Sequence, residues 1–516
     1  MTILLLLSSC NKGGNDPRLI VITLDGLRWQ ELFLGADSFL VQNPRFVKDP
    51  DSLKAKYWRE TPEERRQVLM PFTWSYIAEN GFLIGNRTKG SQMQVANKMN
   101  FSYPGYSENF CGWPDDERID SNDPVPNPNV SVFEAANKDP RYKGSVYCYG
   151  SWESIRYAVN NIRGEFPGSV AYEPGIAKNK TPMTQLVDDM HKGMYRKWDS
   201  ERFDAFTFGY AVSTLLADHP KVMYISFGDT DEWAHDGQYD RYLEAANGTD
   251  YYIQRIVEAC ESDPFYKGKT TYLLTCDHGR GYRGSFTSHG SGTRGSENTW
   301  MMAFGKGIEK LGETTENGPF YNQQMAATIA KVLGIDFTPG DNVKKEPFDP
   351  HFKGETIVDQ DLCTDYGYFP AVSASPKGHG VRYKYYEGAF TSVDQLAASK
   401  VKESGIMPTI MLEGAKAEDH FGYEFQTLLN IEKGGIYTLT CTSDDGSKVW
   451  LDGKLIIDND GSHGAGSVMA RVDLQSGYHR LLVKYFEDYA GEVLDFDLEG
   501  QGVNAQELPA SMLYYE

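Results

Sequence analysis

Three apolar runs, each broken off by a carboxylate, set the pattern of the first half of the chain. Arg18–Leu24 reads RLIVITL and ends in Asp25. Lys221–Phe227 reads KVMYISF and leads through Gly228 to Asp229 and Asp231. Thr270–Cys276 reads TTYLLTC and runs straight into Asp277-His278-Gly279. Uninterrupted apolar runs of this kind predict central parallel strands buried on both faces. Further strands are expected over Phe82–Ile84, Ser145–Tyr149 and Trp300–Phe304, and a short helix over Pro71–Asn80. Helical period marks Pro182–Lys197, Arg202–Leu216 and Tyr239–Cys260, the last with Ile253, Ile256, Val257 and Cys260 on one side. Gln323–Leu333 reads as a closing helix and Glu165–Thr181 as loop. Strands alternating with helices predict an α/β fold with a mostly parallel sheet flanked by helices, over residues 18–338.

The texture then changes. Phe337–Lys377 is rich in Pro, Gly and charge and has no clear period, which assigns residues 339–379 to a linker. From Gly380 to Glu516, short alternating segments such as Tyr437–Thr442, Lys448–Leu451 and Leu481–Tyr485 are separated by the turns Asp444-Asp445-Gly446, Asp452-Gly453 and Asp460-Gly461. That pattern predicts an all-β sandwich.

A chain of 516 residues exceeds one simple core, in keeping with two folded parts. Its net charge of −21 argues against binding nucleic acid or an anionic membrane through a broad basic face. An anionic substrate then needs a local positive site, and a metal ion is the most economical one. The cysteines are scattered without a CxxC pair, which argues against a cysteine metal site. The N-terminal MTILLLLSSC is too short an apolar run to span a bilayer. Its Leu7-Ser8-Ser9-Cys10 resembles the lipobox of bacterial lipoproteins, without their basic leading segment, and Asn11–Asp16 suits a tether. Residues 1–17 are thus read as lipoprotein signal and tether, lipid-anchoring the protein in a bacterial cell envelope, in the periplasm or at the cell surface.

Open α/β sheets bind ligands at the carboxyl ends of their strands. Asp25 sits at such an end, where it can be a metal ligand or the N-cap of a helix near Trp29. Asp231 and His235 are four apart, so a helical turn puts them on one face, able to chelate one ion. Asp277 and His278 diverge at a strand end, and His289 follows after a loop of Gly, Ser, Arg and Thr. Ser102 precedes Pro104-Gly105, which predicts a hydroxyl held on a tight turn ahead of a helix, a nucleophile position. Three carboxylates and three imidazoles suit two zinc-like ions better than calcium or magnesium, which prefer oxygen.

Taken as a set, VITLDGLR, FSYPGY, TDEWAH and TCDHGRG with His289-Gly290 resemble the alkaline phosphatase superfamily, in its type I phosphodiesterase / nucleotide pyrophosphatase branch, over about Arg18–Thr338. The resemblance implies a phosphoric ester hydrolase with two Zn2+, other divalent metals fitting the same set. It implies that Asp231, His235 and His289 hold one ion, and Asp25, Asp277 and His278 the other. Ser102 would bridge them as nucleophile, where many relatives have Thr. It also implies an Asn that binds a phosphate oxygen, with Asn122 the nearest counterpart and Asn127 its rival. Arg156, Arg163 and Lys98 are further cations offered for the non-bridging oxygens. A sulfatase resembles the pattern Cys/Ser-x-Pro-x-Arg, whereas Ser102-Tyr103-Pro104-Gly105-Tyr106 has Tyr for the Arg, which argues against maturation to formylglycine.

The C-terminal GVRYKYYEG, SDDGSKVWLDGKLIIDNDGSHG and SGYHRLLVKYFE resemble a protective-antigen-type β-sandwich. Such domains often bind carbohydrate, and some hold calcium on acidic turns, for which Asp444 and Asp445 stand here, as turn formers otherwise. The alternatives to a phosphoric ester hydrolase are a sulfatase-like hydrolase and a catalytically dead glycan-binding lipoprotein. The complete ligand set argues against the latter.

Overall fold

A computed structural model describes residues 17–339, 346–354, 363–412, 414–417, 419–489, 491–501 and 503–516. The proposed lipobox at Cys10 lies outside them. The three apolar runs are adjacent strands of one sheet. From one edge its strands are Gly168–Val170, Val146–Gly150, Val222–Phe227, Arg18–Leu24, Thr270–Thr275, Met301–Gly305, Gly81–Ile84 and Gly312–Glu313. The first five run parallel, and Met301–Gly305 is antiparallel to its neighbours on both sides. Ile20, Ile22 and Leu24 pack into one hydrophobic cluster and Leu19 and Val21 into another, so the sheet is covered on both faces. That two-sided burial is why these strands show no polar alternation. Gly168–Val170 lies inside the stretch expected to be loop; a three-residue edge strand leaves no period to read.

The helices follow the pattern: Pro182–Gly193, Asp204–Asp218, Tyr239–Ser262 and Gln324–Leu333. Tyr239–Ser262 buries Ile253, Ile256, Val257 and Cys260, as its period requires. Ser102 is the first residue of the helix Ser102–Cys111 rather than part of a turn before it. Pro104 is accommodated in the first helical turn, where its missing N–H costs little.

The C-terminal part is all β. One sheet orders the strands Cys363–Phe369, Gly466–Leu474, Gly435–Asp444, Val493–Gly500 and Val503–Glu507. The other is centred on Phe421–Ile431 and Gly477–Glu487, which pair antiparallel along their whole lengths. Phe425, Leu439, Tyr485 and Leu498 share the core. Cys363–Phe369 falls within the residues read as linker, yet it pairs with Gly466–Leu474, parallel where the other pairings of its sheet are antiparallel. Its mixed DYGYF sequence hides a strand whose partner lies a hundred residues on. Among the described residues, no helix is long and apolar enough to cross a membrane.

Candidate metal centre

The register of the sheet sets the height of the site. Leu24 pairs with Phe227, and Thr23 with Thr275, so the chain leaves three adjacent strands at one level. Asp25 follows the first, the helix Asp229–His235 follows the second, and Asp277-His278 follow the third. Asp25 does not cap a helix, because the next one begins at Trp29 with Arg28 as its N-cap. Asp231 lies inside its own helix, which Gly228 caps, and shares a face with His235.

Six of the predicted side chains gather into two groups of potential ligands: Asp231, His235 and His289, and Asp25, Asp277 and His278. His278 Nε2 stands 3.3 Å from Asp25 Oδ1, 3.4 Å from Asp277 Oδ2 and 3.9 Å from Asp231 Oδ1. His235 Nε2 lies 3.1 Å from Asp231 Oδ2 and 2.9 Å from His289 Nε2. The rings of His278 and His289 stack at 4.0 Å between centroids, which makes the two groups neighbours. His278 Nδ1 is 2.7 Å from the Gly279 carbonyl. A donated proton there fixes the tautomer that presents the Nε2 lone pair to the centre.

A metal fits this donor set on the structure's own terms. Asp25 Oδ1, Asp277 Oδ2 and His289 Nδ1 are buried without a hydrogen-bond partner, and orphaned buried carboxylate oxygens are costly unless a cation meets them. Burial and the Asp25 charge push the Asp277 carboxyl well above the usual carboxylate range. Burial works to lower His278, but Asp277, Asp25 and Asp231 outweigh it and raise the imidazole to about 9. Burial and the adjacent His278 hold His289 well below its ordinary value. Asp231 is held well down: burial opposes ionisation, and Arg280, His235 and His289 overcome it.

Ser102 Oγ is 3.1 Å from His278 Nε2, at the head of its helix. Two glycines permit this closeness. A Cβ on Gly105 would stand 2.3 Å from the Asp277 carbonyl oxygen, and one on Gly26 2.4 Å from Asp231 Oδ1. Asn122 Oδ1 accepts a 2.8 Å hydrogen bond from Tyr103 N, so the side chain has its amide NH2 to offer beside Ser102. Asn127 is fully buried and donates to Ser107 Oγ, which removes it as the rival. Arg156 pairs with Glu173 and Arg163 with Glu134, so both expected substrate cations are committed to structural carboxylates. Lys98 is exposed, its backbone N–H bonded to Asp116.

Two residues were not foreseen. Tyr106, fully buried, donates to Asp25 Oδ2 at 2.9 Å. Arg280, also fully buried, pairs with Asp231 Oδ1 and donates to the carbonyls of Phe286 and Thr287 at 2.7 and 2.6 Å. The sequence carries no signal for either pairing, since Arg280 meets Asp231, and Tyr106 meets Asp25, only once the chain is folded.

In the sandwich a third acidic group forms from Asp444, Asp445 and Glu487. Asp445 serves the local chain, accepting from His463 N at 2.7 Å and Asp488 N at 2.7 Å.

The Metalloenzyme superfamily family model matches residues 191–334, which hold Asp231, His235, Asp277, His278 and His289 and leave Asp25 and Ser102 outside. The PA14 domain model matches residues 377–498. A search of curated proteins gives no match. Among solved structures, an anti-sigma factor domain-containing protein is 20% identical with a TM-score of 0.24, over 26% of this chain and 48% of its own, so the chain spans under half of that relative. A 2-O GAG sulfatase is 12% identical with a TM-score of 0.42, over 63% of this chain and 72% of its own. A protein in the alkaline phosphatase superfamily from Vibrio parahaemolyticus is 12% identical with a TM-score of 0.36, over 63% and 68%. The chain therefore carries a region similar to the Metalloenzyme superfamily, residues 191–334, followed by one similar to a PA14 domain, residues 377–498.

Proposed function

We propose that the chain hydrolyses phosphoric esters, with Ser102 as nucleophile, Asp231, His235 and His289 holding one divalent ion, and Asp25, Asp277 and His278 the other. The observation that carries this reading is the hydroxyl of Ser102 at 3.1 Å from His278 Nε2, beside both ligand groups. Two zinc-like ions, when bound, supply stabilisation of the charge on the attacking and leaving oxygens. The protein's own part is positional. Ser102 stands at the positive end of its helix dipole, which favours the ionised hydroxyl that attacks phosphorus. The Asn122 amide donates to a non-bridging oxygen of the substrate. Attack breaks the P–O bond to the alcohol, which leaves and takes up the proton that Ser102 gave to solvent; water then cleaves the phosphoserine, its oxygen going to phosphate and a proton returning to Ser102.

A sulfuric ester hydrolase is the second reading, and Tyr106 weighs against it. At the position of the sulfatase arginine this chain has a buried phenol that serves Asp25. The PA14 part is assigned to glycan binding, since a solved relative is titled a PA14 sugar-binding domain from an RTX adhesin. Cys10 is proposed as a lipidated N-terminus in the bacterial envelope; mass spectrometry finding unmodified residues ahead of it would remove that assignment. Activity is tested by hydrolysis of aryl phosphate monoester, aryl phosphate diester and aryl sulfate side by side, with metal analysis. Turnover of one or both phosphates with two ions per chain is expected. Turnover of the sulfate alone would overturn the assignment.

A further inference from the structure

The loop that delivers His289 is rich in glycine, with Gly279, Gly281, Gly284, Gly290, Gly292 and Gly295. Such a segment has much backbone entropy to lose when it is fixed. Its inner side is tied to the α/β core, where Arg28 Nη1 donates to Gly281 O at 2.8 Å and Phe286 joins the hydrophobic core, and its own bonds close the loop on itself. Gly279 N bonds to Ser296 O at 2.7 Å, Gly281 N to Ser288 O at 3.0 Å, and Arg280 grips the carbonyls of Phe286 and Thr287. Its outer side rests on the β-sandwich, both before and after His289. Ahead of the ligand, Ser467 Oγ meets Tyr282 O at 3.3 Å and Ser285 Oγ at 3.1 Å. Arg283 pairs with Glu499 at 2.6 Å, and Arg45 of the α/β part pairs with Asp495. A Cβ on Gly284 would come to 3.5 Å from Thr442 Oγ1, so the backbone lies against that strand. Beyond the ligand, Thr293 Oγ1 bonds to Ala465 O at 3.4 Å, and a Cβ on Gly292 would be 3.4 Å from the Cβ of His463. Ser467 and Thr442 are buried, and their hydroxyls bond to each other at 2.6 Å.

We propose that the sandwich is a working part of the metal centre: Ser467, Ala465, Thr442 and Glu499 clamp the His289 loop and so set the affinity of the ion held by Asp231, His235 and His289. The ligands Asp25, Asp277 and His278 come from strand ends and need no such support. A loop that is competent only part of the time weakens binding by that fraction, and loss of an outer support typically costs about 10–100-fold in metal affinity. Ser467 is a positioning residue here, acting through the backbone of residues 282–285. The inference rests on the two-ion reading.

The test uses the full chain and a chromophoric competitor for zinc. Ser467→Tyr places a wedge in the contact. One of two ions should weaken on the order of 10-fold, with faster amide exchange over residues 282–293. In a His289→Ala background, where the clamped ligand is gone, the wedge should leave the remaining ion's affinity unchanged. The pair Arg45→Ala with Arg283→Ala loosens the same contact without bulk and serves if the wedge prevents folding; it should act in the same direction. Two ions bound equally tightly by wild type and variants would overturn the clamp and leave the metal centre standing. Equal weakening of both ions would also overturn it. A wild-type chain that takes up no zinc would overturn the metal centre itself, and the clamp with it.

Discussion

At the scale of single residues, Ser102 separates chemistry from metal binding. Its hydroxyl approaches His278, while six other side chains offer the candidate ligand atoms. Ser102→Ala should therefore lower kcat by several orders of magnitude, on the order of 10^4-fold, with metal content unchanged. Ser102→Thr keeps a hydroxyl and should retain much of the rate. Steady-state kinetics paired with metal analysis checks both. Near-normal turnover by the alanine variant would make water the nucleophile. Asp25, Asp231, His235, Asp277 and His278 could be named as candidates from the sequence because each stands near the end of a readable strand or at a helical spacing, whereas His289 lies in a loop and was named only through the motif resemblance. Arg280 and Tyr106 could not, since their roles depend on which side chains meet across the sheet. Arg156 and Arg163 misled for the same reason: a cation near a site in sequence says nothing of the Glu173 or Glu134 that neutralises it.

At the scale of elements, the helix Ser102–Cys111 is fixed at both ends. Gly105 lets its first turn lie on Asp277, and near its last turn the buried Glu108 accepts from Ala96 N, Asn97 N and Gln323 N, each at 2.9 Å. Burial raises the Glu108 carboxyl from its ordinary 4.5 to about 7, against the pull of those N–H donors. The native state then binds more protons than the unfolded chain between these values. Stability from this group is fully present below pH 4.5 and lost as pH rises through about 7. The span is worth roughly 3 kcal/mol at about 1.36 kcal/mol per pKa unit. Denaturant unfolding of wild type and Glu108→Gln across this range checks it: the stability of wild type relative to the variant should fall by about that amount with rising pH. A flat difference would show that Glu108 is ionised throughout. The strands of the α/β sheet were legible because two-sided burial makes them continuously apolar. Cys363–Phe369 and Gly168–Val170 were not, one being mixed in composition and the other too short for any period.

At the scale of the whole molecule, the division into an α/β part and a β-sandwich was legible from the change of texture near Gly380, whereas the contact between the parts was not. Ser467, Ala465 and Thr293 are ordinary in sequence and acquire meaning only where the sandwich meets the loop. The candidate ligand atoms of the proposed two-ion centre all come from the α/β part. Without ions, that part holds three carboxylates around one imidazole, with orphaned oxygens on Asp25 and Asp277. Each divalent ion that binds the native state and not the unfolded chain stabilises it by about 4 kcal/mol when free ion exceeds Kd about 1,000-fold, so two ions give about 8 kcal/mol. For a domain of this size that is on the order of 10 °C in Tm. Calorimetry before and after chelation should show the α/β transition falling by about this much and recovering when zinc is restored. Asp231→Asn should lose about half of the response, that of the ion held with His235 and His289, because it removes the charge that Arg280, His235 and His289 all face. A transition that ignores both chelator and zinc would remove the metal centre, however complete its ligand set.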